Sequence, residues 1–290
     1  MFVILVGMPG GVNWDGRGES YCKMNQQSIS LSEMKLEKRE IPREPSWILS
    51  AAAWIFVAVG TTLLSLIGLF IFWPLSLIFQ QASGELPHRL SQFWARVICV
   101  CLPFWKVRVE GLDKIDKRKT YVVVSNHQSL LDILVSLAGL PIHFKFIAKR
   151  QLFWIPFLGW HLWFARYIPL KRGDPESGRA CLEKARYWVR RGASVVFFPE
   201  GTRSPDGEIH PFKAGAFKLA WEEKVDLLPV VILGTHEAMP KKSWRIEKRA
   251  EFLLSIQNAV STKDRSPDSL EALREGVRLT MIEELRRLRS

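Results

Sequence analysis

The segment TYVVVSNHQSLLD, residues 120–132, joins a buried-strand pattern to a polar turn and the start of a helix. Its first half is a β-branched run, which is typical of a strand that is covered on both faces. His127 follows directly after this run, and an apolar helical pattern begins near Ser129. The segment therefore predicts an α/β sheet with His127 at the carboxyl end of a strand, where such sheets bind their ligands.

The sequence around this segment continues the alternation of strands and helices. Strands alternating with helices predict an α/β fold with a mostly parallel central sheet flanked by helices. Pro229 favours an edge position, or the start of a strand, for the run that contains it. Strand patterns cover residues 105–110, 120–125, 143–148, 194–198, 227–233 and 252–256, and helical patterns cover residues 130–140, 175–191, 214–223 and 270–288.

An apolar segment precedes this domain, because residues 45–84 contain no charged side chain. A helix needs about 20 apolar residues to cross a bilayer, so this run is too long for one span and slightly short for two. Pro74 can break a helix, and Gly60 or Gly68 can allow a bend. We expect either an N-terminal membrane helix or a helical hairpin that enters one leaflet. Basic residues flank both ends, which leaves the orientation open and favours the hairpin.

Three regions follow from these patterns. Residues 1–44 are predicted to form a polar, poorly ordered N-terminal extension, with Met24 and Met34 as alternative start positions. Residues 45–84 form the membrane-anchoring segment, and residues 85–290 form the catalytic α/β domain.

The charge and the cysteines narrow the class of partner and the location. The net charge of +12 favours an anionic partner. The chain has no Lys/Arg-dense tail, and its Trp and Phe residues lie beside apolar runs, so a membrane surface and an anionic substrate are favoured over nucleic acid. The four cysteines form no C-x-x-C pair and no zinc-like spacing, so no metal site is predicted. We expect reduced thiols and a domain on the cytoplasmic face of a membrane.

His127 and Asp132 form the first candidate constellation. If His127 lies in the loop and Asp132 in the first helical turn, the carboxylate can accept the Nδ1 proton and leave Nε2 free to deprotonate an alcohol. The alternative is structural, because Ser129-x-x-Asp132 resembles a capping box in which Asp132 only caps the helix.

The turn at residues 198–204, FPEGTRS, forms the second constellation. Arg203 offers a planar fork that suits a phosphate monoester, and Glu200 can hold a substrate hydroxyl. Lys213 lies near the start of the next predicted helix, where it adds to a positive site. The alternative is a surface turn with a local Glu–Arg pair.

A basic and aromatic stretch, residues 149–172, lies between the two constellations. Its Phe, Trp and Leu residues with flanking Lys and Arg suit a surface that meets lipid headgroups. An ordinary core helix followed by a strand is the alternative.

Taken together, these segments resemble the glycerolipid acyltransferases, that is, the 1-acylglycerol-3-phosphate acyltransferases and their relatives. The resemblance covers roughly residues 105–240 and rests on blocks that occur in the family's order. They are NHQSLLD (126–132), AKRQL with IPFLGW and IPLKR (148–152, 155–160 and 168–172), FPEGTRS (198–204) and LPVV (228–231).

The resemblance implies a glycerolipid-acyltransferase-like α/β domain that uses His127 as the general base and Asp132 to orient it. It implies transfer of an acyl chain to the sn-2 hydroxyl of 1-acylglycerol-3-phosphate, from a thioester of coenzyme A or acyl carrier protein, with no other cofactor. Another lysolipid acceptor, such as a lyso-amino lipid or lysophosphatidylethanolamine, is the first alternative. A non-catalytic membrane protein that binds anionic lipid is the second. The implied substrate-binding residues are Glu200, Gly201, Thr202, Arg203, Arg172, Lys149 and Lys213.

Overall fold

The computed structural model describes residues 47–72, 84–102, 105–246, 250–263 and 265–290. The predicted extension at residues 1–44 and the predicted break at Pro74 lie outside the described residues. The choice between a single membrane helix and a hairpin therefore stays a prediction.

A seven-stranded sheet forms the centre of the domain, in the order β1-β7-β6-β2-β5-β3-β4. All neighbouring strands are parallel except β6 and β7, as the alternating pattern predicted. Strand β2 lies in the middle and all five of its residues are buried, in agreement with its unbroken apolar run. The strands are β1 Trp105–Glu110, β2 Tyr121–Ser125, β3 Phe144–Lys149, β4 Ile168–Leu170, β5 Ser194–Phe197, β6 Asp226–Leu233 and β7 Ala250–Ile256.

Helices cover both faces of the sheet and bury one apolar cluster on each. Helices α1, α2 and α3 contribute to the first cluster, and α5, α6 and α8 contribute to the second. The helices are α1 Trp47–Ile67, which continues as a π-helical turn Gly68–Phe72, α2 Glu85–Cys101, α3 Leu131–Gly139, α4 Leu158–Phe164, α5 Pro175–Arg190, α6 Gly215–Glu222, α7 Thr235–Ala238 and α8 Leu270–Arg289.

Helix α5 shows how local sequence sets the ends of these elements. Asp174 accepts hydrogen bonds from the backbone N–H groups of Glu176 and Ser177, and Pro175 occupies the first turn. Gly192 lies just beyond the helix with a φ of 81°, the left-handed conformation that a glycine at the C-terminal cap of a helix adopts.

Helix α1 is long and apolar enough to cross a membrane, together with the turn that follows it. Its outer side chains are exposed, including Trp47, Ile55 and Leu63. The other side of the helix contacts the α/β domain along its whole length. The contacts join Ser50 to Ile246, Trp54 to Trp244, Gly60 to Trp94 and Ser65 to Phe157.

The prediction for Pro229 was wrong, because β6 lies between β7 and β2 in the interior of the sheet. The carbonyl of Pro229 accepts a hydrogen bond from the N–H of Gln257, so the polar groups of Pro229 face the end of β7. Strand β7 stops at Ile256, and the missing proline N–H therefore interrupts no regular ladder.

Candidate active site

Two polar turns converge at the carboxyl ends of β2 and β5, which are neighbours in the sheet. The first turn carries His127 and the second carries Glu200 and Arg203. They are joined directly, because the N–H of Ser204 donates to the carbonyl oxygen of His127 over 2.7 Å. Segments more than 70 residues apart in the chain thus share one site at the carboxyl ends of the strands, as the first motif predicted.

His127 and Asp132 form a hydrogen-bonded pair, with 2.8 Å between Nδ1 of the imidazole and Oδ2 of the carboxylate. His127 lies in the loop after β2, and Asp132 lies in the first turn of α3. The Asp132 side chain is fully buried, and 7% of the His127 side chain is exposed. A carboxylate at Nδ1 fixes the tautomer that leaves Nε2 as the acceptor, which is the arrangement of a general base. Among the described residues, no side chain or backbone group hydrogen-bonds to Nε2.

Asp132 also fulfils the structural alternative. Its Oδ2 accepts the backbone N–H groups of Gln128 and Ser129 at 2.7 and 2.8 Å. Its Oδ1 accepts the hydroxyl of Thr235 at 2.5 Å. The carboxylate therefore closes the start of α3 and orients the imidazole at the same time, so the two interpretations of Asp132 are compatible.

The loop that carries His127 is held rigidly on both sides. The side-chain amide of Asn126 donates to the carbonyl of Ile232 and accepts from its N–H, each over 2.8 Å. On the other side, the ring of Phe198 stacks on the imidazole with 4.1 Å between centroids. These contacts leave the imidazole little freedom to leave the position that Asp132 gives it.

Glu200 links the two turns. Its Oε1 accepts the backbone N–H of His127 over 2.9 Å, and its Oε2 accepts the N–H of His210 over 3.4 Å. Burial raises the pKa of Glu200 to about 7, although the two backbone hydrogen bonds oppose that shift. The carboxyl oxygens thus contact backbone groups, and a contact of Glu200 with a substrate hydroxyl stays a prediction.

Positive charge gathers beside this turn. Desolvation and the charge of Arg203 lower the pKa of Arg172, whose side chain still keeps an exposed surface. Gly201 has a φ of 75°, and a Cβ there would lie 2.7 Å from Nζ of Lys213. The glycine thus allows the ammonium group to lie over the turn. Within the described part of the chain, no ion pair neutralises Arg172, Arg203 or Lys213, as expected for cations that await an anionic ligand.

Two other predicted site residues have exposed side chains. Lys149 is the last residue of β3 and therefore lies at the same carboxyl end of the sheet, beside Leu170 of β4. Its side chain is exposed. Thr202 is exposed in the second turn. Neither side chain makes a hydrogen bond or an ion pair within the described ranges, and their roles stay predictions.

Sequence patterns missed two contributors. Thr235 and Lys241 lie after β6, where no local motif marks them, yet the Thr235 hydroxyl binds Asp132 and the Lys241 ammonium donates to the carbonyl of Arg203 over 2.7 Å. Both contacts join residues that the fold alone brings together. No group of His, Cys, Asp and Glu in the described residues is arranged to hold a metal ion.

Comparisons with known proteins place this geometry in context. The family model described as Acyltransferase matches residues 106–233, which include both turns. A 1-acyl-sn-glycerol-3-phosphate acyltransferase of Chlamydomonas reinhardtii is 32% identical over 260 residues, which cover 88% of this chain and 77% of that protein. A chloroplast protein of the same description from Arabidopsis thaliana is 42% identical over 171 residues, 59% of this chain and 47% of that protein.

A corresponding chloroplast protein of Brassica napus is 40% identical over 188 residues, 64% of this chain and 54% of that protein. The chain thus spans about half the length of these two plant relatives. The crystal structure of the 1-acyl-sn-glycerophosphate acyltransferase PlsC from Thermotoga maritima is also similar, with a TM-score of 0.67 and 28% identity. That match covers 84% of this chain and 96% of the bacterial one.

Proposed function

Because the chain belongs to the 1-acyl-sn-glycerol-3-phosphate acyltransferase family, we propose that it transfers a fatty acyl group from a thioester to the sn-2 hydroxyl of 1-acylglycerol-3-phosphate. The product is phosphatidic acid, a phospholipid precursor. The observation that carries this proposal is the His127–Asp132 pair at 2.8 Å. Among the residues that the structure describes, Nε2 of His127 has no hydrogen-bond partner, and Arg172, Arg203 and Lys213 have no ion pair.

The acceptor is positioned by its phosphate. Arg203 and Arg172 supply planar guanidinium groups that bind phosphate oxygens in pairs, and Lys213 adds a point charge. Lys149 at the same edge of the sheet contributes long-range attraction. Because Glu200 ties the phosphate-binding turn to the backbone of His127, a phosphate bound at this turn holds the glycerol hydroxyls near the imidazole.

The reaction needs no covalent intermediate with the protein. Nε2 of His127 takes the proton of the sn-2 hydroxyl as its oxygen attacks the thioester carbonyl carbon. The tetrahedral adduct then collapses, the carbon–sulfur bond breaks, and the thiolate takes the proton back from the imidazolium. Asp132 stabilises the transient positive charge of the imidazolium through Nδ1. The products are phosphatidic acid and free coenzyme A or acyl carrier protein.

The membrane is the source of the acceptor. Helix α1 contacts the domain from Ser50 to Ser65. The helix and the face of the domain that it contacts therefore lie at the same depth relative to the bilayer. An apolar helix whose length of about 30 Å lies along a folded domain is suited to one leaflet rather than to a free span across the bilayer. We place the protein on the cytoplasmic face of its membrane, with α1 in the near leaflet.

The direct test is acyl transfer by the full chain in phospholipid nanodiscs, with lysophosphatidate as the acceptor and with either acyl-CoA or acyl carrier protein thioester as the donor. His127→Ala is expected to lower kcat by about 10²–10⁴-fold without loss of the folded state, because it removes the general base. Circular dichroism and thermal unfolding serve as the control for folding. Activity retained by this variant would contradict the assignment.

The acceptor is tested in the same assay. Lysophosphatidylethanolamine lacks the free phosphate monoester and is expected to be a much poorer substrate, because Arg203 and Arg172 then lose part of their ligand. Equal turnover of both acceptors would favour the alternative lysolipid function. A wild type without transferase activity, whose lipid binding persists in a His127→Ala/Asp132→Asn variant, would favour a non-catalytic role.

A further inference from the structure

The mechanism leaves one basic segment unused, the loop at residues 240–246 with the sequence PKKSWRI, which we name the 240s loop. It follows α7 and contains Lys241, Lys242 and Arg245 but no acidic residue. The side chains of Lys242, Trp244 and Arg245 are exposed, and 52% of Trp244 is accessible to solvent. An exposed tryptophan between basic residues is the composition that anchors proteins at the level of lipid headgroups.

The 240s loop is attached to the membrane helix. The indole N–H of Trp54 donates to the carbonyl of Trp244 over 2.8 Å, and the hydroxyl of Ser50 accepts the N–H of Ile246 over 2.9 Å. Ser50 and Trp54 belong to the first two turns of α1, where the exposed fraction of Trp47 is 65%. The loop therefore lies at the depth of the N-terminal end of α1.

The same loop is attached to the acceptor site. The ammonium group of Lys241 donates to the carbonyl of Arg203 over 2.7 Å. One short segment thus connects the start of the membrane helix to the turn that holds the phosphate-binding arginine. A rigid link of this kind sets the height of the acceptor site above the leaflet.

We propose that the 240s loop binds anionic phospholipid headgroups of the leaflet that holds α1, and thereby holds the acceptor site against the membrane surface. The proposal rests on the proposed function for the identity of the acceptor. Lys242 and Arg245 attract the phosphates of the leaflet, and Trp244 occupies the interface between them. A lysophosphatidate in that leaflet then reaches Arg203 without leaving the membrane.

The test compares two variants of the full chain that lose the same charge. Lys242→Gln/Arg245→Gln removes the exposed charges of the loop, and Lys117→Gln/Lys184→Gln removes two exposed charges elsewhere. Lys117 precedes β2 and so lies at the amino ends of the strands, opposite the active-site end of the sheet. Lys184 belongs to α5, which covers the face of the sheet opposite α1. Binding is measured by flotation with phosphatidylcholine vesicles that contain or lack phosphatidylglycerol.

The loop variant is expected to bind the phosphatidylglycerol vesicles roughly 20-fold more weakly than the wild type, from the usual attraction of two basic residues to an anionic surface. Its binding to pure phosphatidylcholine is expected to be unchanged, and the matched variant is expected to behave as the wild type. Equal binding by the two variants, or an equal loss on both kinds of vesicle, would overturn the proposal.

Acyl transfer distinguishes a membrane contact from a substrate contact. The loop variant is expected to keep wild-type turnover of a short-chain lysophosphatidate in free solution and to lose turnover of the long-chain acceptor in anionic vesicles. Loss with both acceptors, or a raised KM for acyl-CoA alone, would place the loop in a substrate pocket and overturn the proposal. A wild type that binds anionic vesicles but transfers no acyl group would refute the proposed function and leave the headgroup contact standing.

Discussion

The buried carboxylate of Asp132 accepts four hydrogen bonds, three on Oδ2 and one on Oδ1. The single bond on Oδ1 comes from the hydroxyl of Thr235. A carboxylate with each oxygen occupied keeps one orientation, and the imidazole depends on that orientation. The geometry of the His127–Asp132 pair therefore depends on β2, α3 and the segment after β6 together.

Thr235→Val tests this dependence, because valine keeps the shape of threonine but leaves Oδ1 of Asp132 buried without its donor. An unsatisfied buried acceptor costs about 1–3 kcal/mol, so we expect kcat to fall between several-fold and about a hundredfold with little change in KM. Thr235→Ser returns the hydroxyl and is expected to restore kcat. A Val variant as active as the wild type would show that Asp132 needs no support from Thr235.

Glu200→Gln tests the cost of burying a carboxyl group in the site. The pKa of Glu200 is raised from 4.5 to about 7, so the folded state binds more protons than the unfolded state between these values. Stability from this group is complete below pH 4.5 and is lost as the pH rises through 7. Glutamine keeps an acceptor for the N–H of His127 and does not titrate.

At pH 8 the free energy of unfolding of the Gln variant is therefore expected to exceed that of the wild type by up to roughly 3 kcal/mol. At pH 5 the difference in free energy is expected to be much smaller. Denaturant unfolding at the two pH values measures the difference. Glu176→Gln, an exposed carboxylate in the first turn of α5, is the control and is expected to show no such pH dependence. A constant difference across the two pH values would mean that the carboxyl of Glu200 is not desolvated.

Among the secondary-structure elements, helix α8 supports a loop that contacts the His127 turn, although α8 contributes no residue to the site. The carbonyl of Gly207 accepts the side-chain amide of Gln128 over 2.7 Å and the guanidinium of Arg289 over 2.8 Å. Gln128 neighbours His127, and Gly207 lies in the loop that connects the FPEGTRS turn to α6. The last turn of α8 therefore holds this loop against the turn that carries His127.

Arg289→Ala is expected to lower kcat/KM by about two- to tenfold, the usual range for the loss of one intramolecular hydrogen bond, here the bond to Gly207. The substitution also removes an ion pair with Glu208, which adds little because both side chains are partly exposed to solvent. Arg286 lies in the same last turn of α8, is exposed, and its side chain makes no hydrogen bond or ion pair among the described residues. Arg286→Ala is thus the matched control, with an expected change near zero. Equal effects of the two substitutions would indicate that only the charge of the helix end matters.

The elements also show which features the sequence could predict. The turns that carry His127 and Glu200 follow strands whose apolar runs are complete within a few residues, so β2, β5 and their motifs were identified from local pattern. Helix α2 was not predicted, because its polar residues are also buried: His88 and Ser91 face the interior and bind Tyr167 and His161. Such partners come from distant segments, and no local periodicity contains them.

At the scale of the whole molecule, α1 and the α/β domain act as one body because their surfaces interlock. The backbone approaches the domain closely at Gly60, because a Cβ there would lie 2.0 Å from the ring of Trp94 on α2. No side chain fits this position unless the tryptophan moves, and the ring of Trp94 is itself packed against Phe56. Gly60, which the sequence offered as a possible bend, thus allows α1 to pack closely against the domain.

Gly60→Leu is therefore expected to displace α1 from α2 and to separate α1, the proposed membrane anchor, from the proposed active site. Turnover of a long-chain lysophosphatidate in vesicles is expected to fall at least tenfold, roughly the effect of about 1.4 kcal/mol in the barrier, because the site no longer lies at a fixed depth. Turnover of a short-chain acceptor in solution is expected to persist, since the His127–Asp132 pair contains no residue of α1. Val59→Leu, a neighbouring substitution on the exposed side of the helix, is the control and is expected to leave both activities unchanged. A Gly60→Leu variant that loses both activities together would show that α1 is needed for folding of the domain rather than for its placement at the membrane.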